Sequence, residues 1–167
     1  MSLASGKPST PVMKLDPLLS TIAIGIAAFL ALTAWSPPLF YGTITEWAGS
    51  WPQSLFSFVC HQQIDRALFI NEVPLAACSR CTGIYTGLLA GIAGSAFFFT
   101  FGKVWNRYIT GIFFLVSIVL VSDGFANLLD LWRSSNHTRL LLGTAWGLSA
   151  GIMLATALTV AKPKQGG

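Results

Sequence analysis

Four long apolar stretches, separated by polar and proline-containing segments, most constrain how this chain of 167 residues can fold. They cover residues 18–35, 81–101, 108–132 and 138–161. A helix of about 20 mostly apolar residues is long enough to cross the hydrocarbon core of a bilayer. We therefore predict an all-α fold, a four-helix transmembrane bundle. The first span is expected to end at Ser36-Pro37-Pro38, because two prolines stop a helix.

The composition argues against a water-soluble domain. Hydrophobic residues make up 53% of the chain and charged residues 10%, and the mean hydropathy is +0.65. A typical soluble domain devotes about a quarter of its residues to charge. The net charge of +4 comes from basic residues scattered singly near the ends of the apolar stretches, as membrane anchors are. The expected partner is therefore the lipid bilayer, and no nucleic acid is expected.

The spans define one membrane domain, residues 18–161, between an N-terminal tail, residues 1–17, and a C-terminal tail, residues 162–167. The N-terminal tail lacks the apolar core and the cleavage site of a signal peptide, so we expect it to be retained. If the spans alternate in direction, six Lys and Arg residues lie on one side and four on the other. The positive-inside tendency then places both termini in the cytoplasm. The six are Lys7, Lys14, Lys103, Arg107, Lys162 and Lys164, and the four are Arg66, Arg80, Arg133 and Arg139.

A large outer loop, residues 36–80, joins the first two spans. The loop is too polar and too often interrupted by proline to form a fifth span. Within it, Trp51–Val59 is apolar but short, which is typical of an interfacial or re-entrant helix with Pro52 in its first turn. Sites are often built on loops, so functional residues are expected here.

Glycine recurs every four residues in the second and the fourth span. This spacing puts each trio on one helix face, where the missing side chains let another backbone approach closely. Both spans contain Gly-Leu-x-Ala-Gly-Ile and would run in the same direction. We favour close packing of these helices over an internal two-plus-two repeat. The glycines are Gly83, Gly87 and Gly91 in the second span, and Gly143, Gly147 and Gly151 in the fourth.

The third span carries Asp123, Asn127 and Asp130 on one predicted helix face, at positions i, i+4 and i+7. An ionisable residue inside a span is a functional candidate, because desolvating its charge is costly. Asp123 lies about nine residues before the expected helix end, which is a depth of roughly 13 Å at the helical rise. Its carboxylate needs a proton or a cationic partner; an ion pair that only fixes helix packing is the alternative. The candidate partners are Arg80, Arg133 and Arg139.

The cysteines form the most specific pattern. Cys60 and His61 are adjacent in the outer loop, and Cys78 and Cys81 form a CxxC pair at the start of the second span. Three thiolates and one imidazole are a familiar ligand set of zinc, which makes zinc the expected cofactor. A thiol–disulfide function is the alternative, because a helix N-terminus and Arg80 between the paired cysteines would lower a thiol pKa. A third interpretation is that the cysteines are small buried hydrophobic residues.

The turn between the third and fourth spans, residues 133–139, is also polar. Asn136 or Thr138 is expected to cap the fourth helix. Alternatively, a helix N-terminus with two arginines recognises a phosphate or a carboxylate. Because the polar groups converge on one end of the predicted bundle, we expect a polar surround of the thiol site. Its members are Arg66, Arg80, Asp123, Asn127, Asn136 and Arg139.

With these residues in view, the chain resembles a family of small prokaryotic multi-pass membrane proteins that contain a domain of unknown function. The resemblance rests on Cys-His-Gln at residues 60–62, on Arg66, and on Cys-x-Arg-Cys-x-Gly-x-Tyr-x-Gly at residues 78–87. It covers most of the chain from Cys60 onward. It implies a shared site in a prokaryotic cytoplasmic membrane, but no known reaction, substrate or cofactor. The residues of a later, similar element are Asp123, Ser135, Asn136, Arg139 and Gly143.

Three functions are compatible with the sequence, and whether the protein is an enzyme stays open. We favour a Cys/His metal site or thiol-redox site at the outer membrane face. The second hypothesis is a non-enzymatic accessory subunit that packs against other membrane subunits or against a second copy. The third is an enzyme or transporter for a lipid or an anionic small molecule. We rank it last, because the sequence has no paired carboxylates at catalytic spacing, no nucleophile elbow and no phosphate-binding glycine loop.

Overall fold

A computed structural model describes residues 12–15, 17–40, 46–60, 62, 64–98 and 102–162. The fold of these residues is mostly helical, as predicted, and contains two small antiparallel sheets of two strands each. The helices are α1 (Pro17–Phe40), α2 (Glu46–Phe56), α3 (Ser79–Phe98), α4 (Gly102–Leu128) and α5 (Asn136–Ala157), with a short 3-10 helix at Ile64–Arg66. The strands are β1 (Val12–Leu15), β2 (Ala67–Ile70), β3 (Val73–Cys78) and β4 (Thr159–Lys162).

Within the described residues, three helices are long and apolar enough to cross a membrane: Pro17–Phe40, Arg107–Leu128 and Asn136–Ala157. Each exposes large apolar side chains, of which Leu32 is 65% exposed and Phe114 60% exposed. An outward apolar surface of this kind is unfavourable in water and is favourable against lipid tails. The three helices therefore have both the length and the surface of membrane spans.

The helices α3 and α5 lie parallel and in close contact. A Cβ atom on Gly83, Gly87 or Gly91 would collide with backbone carbonyl groups of α5. The reverse holds for the glycines of α5, since a Cβ on Gly143 or Gly147 would collide with the carbonyl groups of α3. The predicted glycine faces therefore meet, and they bring the two backbones within reach of Cα–H···O contacts.

The other two long helices pack on this pair. The indole of Trp35 in α1 donates a hydrogen bond to Thr86 Oγ1 in α3 at 3.0 Å. The indole of Trp146 in α5 donates to Ser117 Oγ in α4 at 2.8 Å. Each tryptophan thus satisfies its polar N–H inside the bundle while its ring fills apolar space.

The prediction that the first helix ends at its prolines is wrong, because α1 continues through Pro37 and Pro38 to Phe40. Proline at position 37 removes the N–H that would bond to the carbonyl of Thr33. The hydroxyl of Ser36 donates to this carbonyl at 2.8 Å instead. A neighbouring hydroxyl therefore replaces the missing backbone donor, and the helix persists.

The third predicted span is too long at its C-terminal end. The helix α4 ends at Leu128, and Asp130 lies in the following turn with a positive φ of 52°. Asp130 therefore does not share a helix face with Asp123 and Asn127. Asp123 stands only five residues before the helix end, which is a depth of about 7.5 Å rather than the predicted 13 Å.

The outer loop contains more regular structure than the sequence predicts. Its helix α2 begins at Glu46, so Pro52 lies inside the helix and not in its first turn. The strands β2 and β3 form a hairpin, whose turn residues Asn71 and Glu72 have positive φ angles of 50° and 67°. Two successive positive φ values are typical of a type I′ turn. The hairpin leads directly into α3.

The two ends of the described chain meet. Strand β1, which precedes α1, pairs antiparallel with β4, which follows α5, and Val12 lies opposite Lys162. The chain therefore enters and leaves the helical bundle on the same side.

Gly147→Ala should destabilise the protein by about 1–3 kcal/mol. The added Cβ would collide with the backbone carbonyl of Ile84 in α3, which cannot move aside as a flexible side chain can. Gly111 is the matched control, since a Cβ there meets nothing within 4 Å. Gly111→Ala should leave the free energy of unfolding in detergent unchanged or slightly raised. Equal effects of the two substitutions would contradict the close contact between α3 and α5.

Candidate metal centre and adjacent polar network

The three cysteines come together from three separate segments. Cys60 follows α2, Cys78 ends β3, and Cys81 lies in the first turn of α3. Their sulfur atoms all lie within 4.8 Å of one another. The backbone N–H of Cys78 also donates to the Cys60 Sγ at 3.4 Å. The end of the hairpin is thereby fixed against the loop after α2.

Gln62 holds this loop in place. Its backbone has a positive φ of 45°. Its side-chain amide donates to the carbonyl of Ala76 in β3 at 3.1 Å and also to the carbonyl of Gln53 in α2. One side chain thus connects the cysteine loop to both neighbouring elements, which gives the third residue of the Cys-His-Gln element a structural role.

The thiols sit in an apolar environment. Cys60 is 7% exposed and packs with the buried side chains of Ala34, Phe56 and Ala76. The ring of Phe56 stacks on Tyr85 of α3, with centroids 5.3 Å apart. A cavity of about 290 Å³ borders Cys60 on the side of residues 57–59 and Gln62. The cluster is therefore shielded by the bundle and has a space beside one thiol.

The thiols also alter one another's acidity. Hydrogen bonds from the side chains of Cys78 and Cys81 hold the pKa of Cys60 well below its usual range. The interaction with Cys60 raises the pKa of Cys78. Cys60 is therefore the first of the two to carry a thiolate, stabilised by its neighbours as hydrogen-bond donors.

The donor set fits a metal ion that prefers sulfur. All three cysteines of the chain are described, and none forms a disulfide. Two sulfurs bound tetrahedrally to one zinc ion are about 3.8 Å apart, given a Zn–S bond of about 2.3 Å. Sulfurs within 4.8 Å reach this geometry through small side-chain rotations. His61, the predicted fourth ligand, lies outside the described residues.

Arg80, between the paired cysteines, reaches Asp123 instead of the thiols. Its Nη2 donates to Asp123 Oδ2, and the two side chains are 26% and 10% exposed. The carboxylate predicted to need a cationic partner therefore has one. Of the three candidate arginines, Arg133 pairs with Asp130 instead, at 4.0 Å and on the surface.

A polar network continues from Asp123 to α5. Asn127 donates to Asp123 Oδ1 at 3.2 Å and to Ser134 Oγ at 3.0 Å. Arg139 donates from Nη2 to Asn127 Oδ1 at 2.7 Å and from Nε to Ser134 Oγ at 3.0 Å. Ser134 is a member of the network that the sequence does not predict, because its only sequence signal is its place in the polar turn.

Asn136 contacts the outer loop and does not cap α5. Its side-chain amide donates to the carbonyls of Asp65 at 3.2 Å and Ala67 at 2.9 Å. The cap is Ser135, whose Oγ accepts from the Thr138 N–H at 3.2 Å. The predicted cap at Asn136 or Thr138 is therefore wrong, because a contact distant in sequence occupies Asn136.

Arg66 lies where the loop meets α3. Its carbonyl accepts a hydrogen bond from Ser79 Oγ at 2.8 Å, and Arg66 lines the same cleft as Arg139. The structure thus brings Arg66, Asn127 and Arg139 to one cleft, while Arg80 and Asp123 form an ion pair beside it.

Comparisons with known proteins agree with the resemblance read from the sequence. Residues 60–153 match the model of a family described as predicted membrane protein (DUF2085). An uncharacterized protein of Methanocaldococcus jannaschii is 30% identical over 99 residues, which are 58% of this chain and 61% of that protein. An uncharacterized protein of Methanothermobacter thermautotrophicus is 32% identical over 110 residues, 64% of this chain and 90% of that protein. No solved structure matches.

Asp123→Asn should destabilise the protein by about 3 kcal/mol, because it leaves the guanidinium of Arg80 partly buried without its carboxylate. Asp130→Asn is the matched control, since the Asp130 side chain is 82% exposed; its effect should stay below about 0.5 kcal/mol. Unfolding in detergent measures both. A loss of stability no larger for Asp123→Asn than for the control would show that the ion pair does not hold α3 to α4.

Proposed function

The chain belongs to the DUF2085 family of predicted membrane proteins, and we propose that its shared site binds one sulfur-preferring metal ion through Cys60, Cys78 and Cys81. The observation that carries the proposal is the position of the three sulfur atoms within 4.8 Å of one another. Cys60 lies 18 residues before Cys78, so the fold, and not adjacency along the chain, brings Cys60 to the CxxC pair. Thiolates select zinc, copper(I) or iron–sulfur centres over hard cations.

Zinc with His61 as the fourth ligand is the specific form we propose. The Cys₃His set is a common structural zinc site. His61 adjoins Cys60 in sequence, and the positive φ of Gln62 shows that the backbone departs from helical geometry there. An adjacent Cys-His pair can bind one ion only where the backbone departs from regular helical geometry. When bound, zinc would supply a rigid cross-link between loop and bundle.

The role that follows is to close the outer loop over the end of the membrane bundle. Without the metal, the loop is connected to the bundle by the hydrogen bond of Gln62 to β3, by that of Ser79 to the Arg66 carbonyl, and by the stacking of Phe56 on Tyr85. A structural zinc site contributes folding free energy directly. We therefore expect loss of the metal to loosen residues 57–62 more than the helices.

A thiol-redox function at the same cysteines is the second candidate. It is favoured by the lowered pKa of Cys60 beside a second thiol, since a thiolate is the reacting species in disulfide exchange. This function requires that the cysteines be free of metal and form a disulfide under oxidant, which makes the two proposals separable.

The protein purified in mild detergent should contain one zinc ion per chain by elemental mass spectrometry. Cys78→Ser and Cys81→Ser should lower the zinc content, because each removes one of the four proposed ligands. His61→Ala should also lower it, whereas His137→Ala, which changes the other and exposed histidine, should leave it unchanged. Retention of zinc by His61→Ala would leave a three-cysteine site with a different fourth ligand.

The contrary result is a wild-type protein without metal whose three thiols are alkylated equally with and without a chelator. If oxidant then links two of the cysteines, the thiol-redox proposal holds. If it links none, both proposals fail.

We further propose that all four long helices cross the membrane, α3 included. Three helices qualify as membrane spans by length and composition. The strand before α1 pairs with the strand after α5, so both ends of the described chain lie at the same end of the bundle. Termini on one side of a membrane require an even number of crossings, and α3 runs parallel to α5 along its glycine face. The integral membrane domain then has four spans.

Tags at the N- and C-termini should therefore be accessible from the same side of sealed membrane vesicles, and the positive-inside tendency predicts the cytoplasmic side. Protease digestion of right-side-out and inverted vesicles tests this expectation. Tags on opposite sides would contradict four spans.

A further inference from the structure

A cleft of about 420 Å³ opens between the end of α4, the turn before α5 and the 3-10 helix. Its lining residues include the cations Arg66 and Arg139, the neutral residues Asn127, Ser134 and Asn136, and the acidic residues Asp65 and Asp130. Arg139 is only 8% exposed, whereas Arg66 is half-buried. The metal proposal uses none of these side chains.

The guanidinium of Arg139 has no carboxylate partner within the described part of the chain. Its hydrogen-bond acceptors are Ser134 Oγ at 3.0 Å and Asn127 Oδ1 at 2.7 Å, and both are neutral. Among the described residues, the ion pairs are Arg80–Asp123 and Arg133–Asp130. Burying a charge without a counter-charge is costly, so a nine-tenths buried cation beside an open cleft indicates a missing anion.

The charges around Arg139 do not balance. The charged groups that act on it are those of Arg66, Arg80, Asp123 and Asp65. Together with Arg139 itself, these are three guanidiniums and two carboxylates, a net charge of +1. Asp123 is already paired with Arg80, and Asp65 is exposed. The excess positive charge is therefore associated with Arg66 and Arg139, which line the cleft.

The two acidic residues that line the cleft, Asp65 and Asp130, are both exposed. Asp130 and Arg133, which also line it, are 82% and 90% exposed and face each other at 4.0 Å. Such an exposed pair contributes little field inside the cleft. The buried part of the lining is cationic and neutral, which suits an anion.

From these observations we infer that the cleft binds a phosphate-type oxyanion between Arg66 and Arg139. Guanidinium groups match the several oxygens of a phosphate with paired N–H donors. The N-terminus of α5 adds a favourable dipole at the same place. The cleft lies at the ends of two membrane-length helices, so the phosphate belongs either to a lipid headgroup or to a soluble molecule. This site is separate from the proposed metal site.

The test is thermal unfolding of the whole protein in a neutral detergent. Inorganic phosphate, phosphatidylglycerol and phosphatidylcholine are added separately. A ligand that binds only the folded state raises the unfolding midpoint. We expect phosphatidylglycerol or inorganic phosphate to raise it and phosphatidylcholine, which is zwitterionic, to leave it unchanged. A response to the lipid alone identifies a headgroup, and a response to inorganic phosphate alone identifies a soluble ligand.

Arg66→Gln should lower the affinity for the ligand that raises the unfolding midpoint at least about tenfold, because it removes one charge-assisted hydrogen-bond donor. Arg107→Gln is the matched control, since Arg107 is exposed near the opposite end of α4; it should bind like wild type. Arg139→Lys keeps the charge but loses the paired donors, and it should also weaken binding. Because Arg139 supports the fold, Arg66→Gln decides the outcome if the Arg139 variant does not fold.

The inference is overturned if neither anion stabilises the protein, or if Arg66→Gln and Arg107→Gln respond alike. It is also overturned if phosphatidylcholine stabilises as much as phosphatidylglycerol. Cys78→Ser, which removes the proposed metal site, should keep the anion response. The two proposals can therefore fail separately.

Discussion

The helices α3 and α5 touch along their backbones, and most of the arrangement described above depends on this contact. Six glycines leave no side chain between them, and a Cβ at Gly143 would collide with the carbonyl of Arg80. The contact therefore fixes the position of the first turn of α3 along the helix axis, relative to the start of α5. In a membrane, such close approach takes the place of the hydrophobic driving force that water provides.

Because of this position, residues at the start of α3 contribute both to the thiol cluster and to the polar network. Cys78 and Cys81 face the outer loop and Cys60, whereas Arg80 between them reaches across to Asp123 in α4. The thiol cluster lies in an apolar environment, and the network of Asn127 and Arg139 lies on the other side. A change in the first turn of α3 is therefore expected to affect both the cluster and the network.

Patterns local in sequence predicted the parts of the fold that depend on local forces. Four-residue glycine spacing predicted the packed helix faces, and the depth of Asp123 in an apolar stretch predicted that it needs a cationic partner. The clustering of Cys60 with the CxxC pair was also a sequence prediction, and the three sulfurs do lie together. The assignment of the site residues to metal binding stays a prediction.

The errors have specific physical causes. Proline at position 37 does not end α1, because the hydroxyl of Ser36 satisfies the freed carbonyl. The hairpin was missed because its turn, Asn71-Glu72, lacks the glycine that normally marks such turns. Asn136 was assigned to a cap, but its partners are carbonyls about seventy residues away. Contacts between residues so far apart in the chain leave no signature in a single sequence.

X-ray absorption at the zinc edge of the purified protein tests the central claim most directly. A Cys₃His zinc site predicts three sulfur neighbours at about 2.3 Å from the metal, with one nitrogen neighbour at about 2.0–2.1 Å. A bound metal surrounded only by oxygen and nitrogen would contradict it, because the three thiols would then not be ligands.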